Sequence, residues 1–129
     1  MIATLLLSLT IGVSTDLTNQ NKDYWMGQLR NPSQQMRINA LQKLSELKFA
    51  DSISAMAERL RDEDPQVRFA AIRALALIPR PESLAALNSA LPEEQDSYLK
   101  SEIKRGKKSL EEILKLETND TAKEKTAPR

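Results

Sequence analysis

The chain has 129 residues, a net charge of +1, 40 % apolar and 4 % aromatic residues, and neither cysteine nor histidine. Its length suits one domain, with a core built mostly of Leu, Ile, Ala and Met, as packed helices have. Disulfides, thiolate nucleophiles, imidazole bases and His-ligated metals are excluded, and the near-neutral charge argues against a strongly basic nucleic-acid binder.

Residues 1–13, MIATLLLSLTIGV, carry no charged side chain. Their apolar side chains surround a helix instead of forming one stripe. The run is short for a membrane span, which takes about 17–25 residues, but fits the apolar stretch of a secretory signal, about 7–15. Gly12 and Ser14 suit the small positions of a cleavage site before Thr15, although no Lys or Arg stands near Met1. Residues 1–14 are therefore expected to be a signal peptide, which makes the mature chain secreted or periplasmic. Two other readings are an uncleaved interfacial anchor, the one route to a membrane, and a helix docked on the core of a cytoplasmic protein.

Residues 15–22 are polar and read as a linker. Beyond them the apolar residues recur with a 31-residue period. Met36, Ile38, Leu41, Leu44, Leu47, Ile53 and Met56 are matched, 31 positions on, by Val67, Phe69, Ile72, Leu75, Ile78, Leu84 and Leu87, and the columns Arg37/Arg68 and Ala40/Ala71 match as well. Such a period marks a two-helix unit that buries its apolar face by stacking on neighbours. Residues 23–30 are then the second helix of a half repeat, with Trp25 and Leu29 in the columns of Met56 and Leu60. The full repeats are 31–61 and 62–91.

Helix signals support these units. Ser33 can cap a helix to about Lys48, and Asp51 or Ser52 a second one to about Arg61. Asp64 caps the next, with Pro65 at its first position. Pro79 and Pro81 stop that helix, and Glu82-Ser83 restart the chain. Asp96 can cap a further helix in a C-terminal cap, 92–116. Gly106 is expected to end it, with Ser109 and Glu112 opening a short last helix. The alternative is one helix running through the glycine at a cost of about 1 kcal/mol. Residues 117–129 read as a disordered tail.

The stretch Asp64, Val67, Arg68, Ala71, Ala74, Leu75 resembles the D-x-x-V-R-x-x-A-x-x-A-L signature of bacterial HEAT-like repeats of the phycobilisome-lyase type. The first repeat keeps Met36, Arg37, Ala40 and Leu44, with Ser33 in place of the acid and Lys43 in place of an alanine. The third keeps Asp96, Leu99 and Lys100 after one extra residue. The resemblance implies an all-α fold, a short right-handed α-solenoid of helical hairpins. It also implies a scaffold or adaptor role without catalysis, and a ladder of acids and arginines between repeats in which Asp64, Arg37 and Arg68 are structural. The spacing of Asp64 and Arg68 also suits an ion pair within one helix.

No nucleophile elbow or phosphate loop is present, and no cofactor is expected. Asp62-Glu63-Asp64 and Glu93-Glu94 read as helix-start acids. Lys100, Lys104, Arg105, Lys107 and Lys108 form a basic cluster that can meet an anionic surface, or can be the solvated face of a terminal helix. The expected partner is a protein or peptide, with nucleic acid disfavoured. By family analogy the second helices line the concave face, which puts Tyr24, Gln28, Glu58 and Arg59 forward as partner contacts. A competing reading is an enzyme-associated subunit resembling the phycobilin lyases, against which the short chain argues.

Overall fold

The computed structural model describes residues 21–126, with side chains to residue 121. Every regular element among them is helical: α1 (residues 21–28), α2 (Gln34–Leu47), α3 (Ile53–Glu58), α4 (Pro65–Ala76), α5 (Pro81–Ala90) and α6 (Ser97–Thr126). Short 3₁₀ turns, Ala50–Ser52 and Arg59–Arg61, flank α3. The first helices α2, α4 and α6 pack side by side, as do the second helices α3 and α5, and the two layers pack against each other. This is the expected α-solenoid. The expectations for residues 1–20 and 127–129 lie outside the described residues. The linker expected to run to Lys22 is already helical at residue 21.

Local chemistry sets the helix ends. The Ser33 hydroxyl accepts the Met36 N–H, and the Asp64 carboxylate accepts the Gln66 N–H at 2.8 Å. Pro65 and Pro81 stand at helix starts, where a missing N–H is harmless. Lys48 ends α2 in the left-handed region, φ 51°, with its N–H bonded to the Leu44 carbonyl. Neither Asp51 nor Ser52 caps the second helix of the first repeat; the 3₁₀ turn makes that entry, and the Ser52 hydroxyl donates to the Phe49 carbonyl.

The repeat columns meet in one core. Leu41, Leu44, Met56, Val67, Ala71, Leu75 and Leu87 are fully buried, and Leu29 and Leu60 close with them. Met36, Leu47 and Leu84 of the apolar columns are only half buried, and so are Ile38 and Phe69, which lie toward the outside of the first-helix layer.

A ladder of arginines and acids joins the repeats, with different acids from those expected. Arg37 grips Asp62 through Nε to Oδ2 at 3.0 Å and Nη2 to Oδ1 at 3.2 Å, and its Nη1 donates to the carbonyls of Asn31 and Pro32. Arg68 repeats the pattern with Glu94, Nε to Oε2 at 3.0 Å, and with the carbonyls of Asp62 and Glu63. The same acids accept backbone N–H groups two residues on: Asp62 from Asp64, and Glu94 from Asp96. The Asp64–Arg68 ion pair expected within α4 is therefore absent. Asp64 is spent on the helix N-terminus, and the arginine reaches the next repeat's first turn, where its acid is buried. At the start of the first repeat Asn31 accepts the Ser33 N–H in the same way, without an acid.

Gly106 does not break the last helix. No described glycine has positive φ, and α6 runs unbroken through residue 106. A Cβ there would lie 3.2 Å from both the Ala76 Cβ and the Leu87 Cδ1, so the missing side chain lets α6 press onto α4 and α5. Ser109 is accordingly an interior helix residue, not a cap. The helix also continues past 116 to Thr126, where a disordered tail is expected. That stretch holds no Gly or Pro, and although its threonines, Asn119 and Asp120 are weaker helix formers, it prolongs a helix already nucleated by its docked part.

Candidate partner-binding surface

Leu99, Ile103, Gly106 and Leu110 are the buried stripe of α6, in the places of Val67, Ala71, Ala74 and Ile78. That register fixes what the basic cluster is. Where the first repeat has Arg37, Leu41 and Leu44, and the second Arg68, Ile72 and Leu75, α6 has Lys100, Lys104 and Lys107. The column that earlier repeats turn toward their successor is thus lysine in the last one, with Lys104 exposed. A polar outer face is what a terminal repeat needs.

The four residues put forward for the second-helix layer do not form one site. Tyr24 on α1 is exposed and meets the edge of Trp25, ring centroids 5.0 Å apart. Gln28 accepts a hydrogen bond from the Asn31 amide. Glu58 lies 3.7 Å from Arg30, and Arg59 donates to Asp62 at 3.3 Å, joining the ladder. The Arg59 Nε is buried without a partner among the described residues. Glu58 and Arg59 line a hollow of about 310 Å³ with Met26, Leu29, Arg30 and Ala55, whereas Tyr24 and Gln28 do not.

The larger feature lies on the other layer. A groove of about 580 Å³ runs between α2 and α4, with an apolar floor and wall of Ile38, Phe69, Ala70, Ala74 and Leu77. Gln42, Ser45 and Gln66 edge it, and Arg73 is the one charged residue among its described lining residues. Leu77 is 58 % exposed. Phe69 forms the groove's border toward α6, where it stacks on Tyr98 with centroids 6.0 Å apart and rings inclined 28°; Tyr98 is 61 % exposed. A second hollow, about 290 Å³, opens beyond Phe69 against Pro65, Asp96 and Tyr98. The Arg73 guanidinium sits 6.0 Å from the Phe69 ring centre.

The core leaves Leu77 and Tyr98 largely exposed, and sequence reasoning missed the groove. The available signal was the column Ile38/Phe69, which stands directly beside the Arg37/Arg68 column and so outside the buried stripe. Asp62 and Glu94 were missed for another reason: each looks like an ordinary helix-start acid until its arginine, 25 or 26 residues away, is seen.

Surface pairs add little to the site. Arg61 holds Glu93 in a two-point grip, 2.7 and 3.1 Å. That hydrogen bonding holds the Glu93 carboxyl below its ordinary range and raises the guanidinium of Arg61. Among the described residues there is no group of three acids able to hold a metal ion, and no helix long and apolar enough to cross a membrane.

Stacked helical hairpins, a buried ladder between them and a polar last repeat define an α-helical repeat protein. A family model of HEAT repeats matches residues 23–106, and the chain belongs to the HEAT-repeat family. No curated protein matches the sequence.

Proposed function

We propose that this chain is a non-catalytic adaptor that binds a segment of a partner protein in the groove between α2 and α4. HEAT repeats generally serve as protein-interaction scaffolds. The observation that carries the reading is the apolar groove of about 580 Å³, with exposed Leu77 in it and exposed Tyr98 stacked on its Phe69. Exposed aromatic and aliphatic anchors beside a concave surface are what a partner segment uses. The second-helix layer is the weaker choice, because Arg59 is held by Asp62 and Glu58 lies against Arg30. The lysine column of α6 is read as the polar end of the stack, not as an anion-binding site.

Two finer statements belong to the same proposal. The Asp64 to Leu75 stretch supports repeats of the bacterial phycobilisome-lyase type. Residues 1–14 support export, with a mature chain beginning at Thr15; an intact Met1 on cytoplasmic protein from the native host would overturn this.

The adaptor reading is tested by carrying a photo-crosslinking residue at position 77 or, separately, at position 54 on the outer side of α3. A partner crosslinked from 77 and lost in Tyr98→Ala is expected. Crosslinking from 54 alone, lost in Tyr24→Ala, would return the function to the second-helix layer.

A further inference from the structure

Building on the groove reading, we infer that its occupant is an amphipathic helix of a partner protein, about three turns long, that sets a carboxylate against Arg73. The length follows from the lining. Along α4 and its C-cap the groove residues run from Gln66 to Leu77, and on α2 they are Ile38, Gln42 and Ser45, spaced four and three apart. At about 1.5 Å per residue the α4 side is about 16 Å long, close to three helical turns.

A helix suits this floor better than an extended strand. Both walls are α-helices whose backbone groups bond within their own helices, so there is no free edge for a strand to join. Their side chains instead make two ridges with a furrow between them, the surface into which another helix packs its own ridge. Ile38, Phe69, Ala70, Ala74 and Leu77 supply an apolar stripe for one face of that helix.

The charge follows from Arg73. Among the described lining residues it is the single charged group, and its guanidinium is set against the Phe69 ring instead of a carboxylate. An exposed contact between a cation and a ring is weak, whereas a charge-assisted hydrogen bond to a carboxylate at the edge of an apolar groove is stronger. Among the described residues the rim supplies no acid for a basic helix: Gln42, Ser45 and Gln66 are neutral. One repeat further on, Arg105 occupies the Arg73 column but is paired with Glu102 at 3.5 Å, so the charge preference of the groove rests on Arg73.

The test uses the full chain and two fluorescein-labelled synthetic helices of about three turns. Both carry a leucine stripe; one has glutamate along its flanks and the other lysine. By fluorescence anisotropy the glutamate helix should bind about tenfold more tightly than its lysine twin. Arg73→Glu should reverse that order. Leu77→Ser should weaken both helices, and Tyr24→Ala neither, with urea midpoints showing that each variant is folded. Failure of the glutamate helix to bind, or a preference that survives Arg73→Glu, overturns the inference. So does tighter binding of a labelled oligothymidylate with a steep salt dependence, which would make the stacked Phe69 and Tyr98 a nucleic-acid platform. The adaptor reading fails separately: a partner crosslinked from position 77 with no charge preference would keep the groove and reject only this occupant.

Discussion

Arg37 and Asp62 stand 25 positions apart and belong to different repeats, yet their side chains meet in a two-point grip at 3.0 and 3.2 Å, almost wholly out of solvent. The arginine also satisfies the carbonyls of Asn31 and Pro32, and the acid orders the turn that starts α4 by accepting the Asp64 N–H. One pair therefore fixes both the turn before α2 and the turn before α4. A guanidinium can do this because its donors form a rigid fork, which a lysine lacks.

Asp62→Ala leaves the buried Arg37 guanidinium without its acid and should lower stability by about 3–5 kcal/mol, measured by urea denaturation; Arg37→Ala, after which Asp62 keeps Arg59 at 3.3 Å, should cost less. Arg37→Lys should recover only part of it. Arg61→Ala, which breaks the exposed pair with Glu93, should cost well under this.

The core columns make a second expectation. Leu44 and Leu75 occupy the same place in successive repeats, and both are fully buried. Leu44→Ala and Leu75→Ala should each destabilise by about 2–5 kcal/mol through lost burial and a cavity. Leu77→Ala, at an exposed position two residues from Leu75, should change the urea midpoint little.

At Gly106 two effects oppose each other. Alanine gains about 1 kcal/mol of helix propensity, but its Cβ would press on Ala76 and Leu87 at 3.2 Å. Gly106→Ala should therefore sit near zero, whereas Gly106→Leu should cost about 1–3 kcal/mol from overpacking. A glycine that ended the helix in the left-handed region would instead lose stability on mutation to alanine, and circular dichroism would report a shorter helix.

The Glu93 carboxyl titrates below its ordinary range because Arg61 donates hydrogen bonds to it. A group held lower in the folded state than in the unfolded one adds stability above its unfolded pKa and loses it as pH falls through the folded value. NMR titration of the Glu93 side chain should show that lowered midpoint, and Arg61→Ala should return it toward the ordinary glutamate value. An unchanged midpoint in the variant would remove Arg61 as the cause.

Much of this protein was legible in its sequence because the relevant forces are local or periodic. Pairs such as Met56 and Leu87 fall in step because a stacked repeat must bury the same face each time. Ser33, Asp64 and Asp96 cap helices through bonds that span two or three residues, so composition at those places is enough. The tertiary structure decided whatever depends on how far one repeat is offset from the next. It gave Arg68 to Glu94 and not to Asp64, because the guanidinium reaches a buried acid across the interface while the nearer carboxylate is held by its own helix end. It turned Gly106 from a helix end into a point of close approach, since only packing brings Ala76 and Leu87 within reach of it. It also set Ile38 and Phe69 on the wall of an outer groove, where period alone counts them with the core; a helical period fixes which residues share a face, and only the neighbouring helices determine which face is covered.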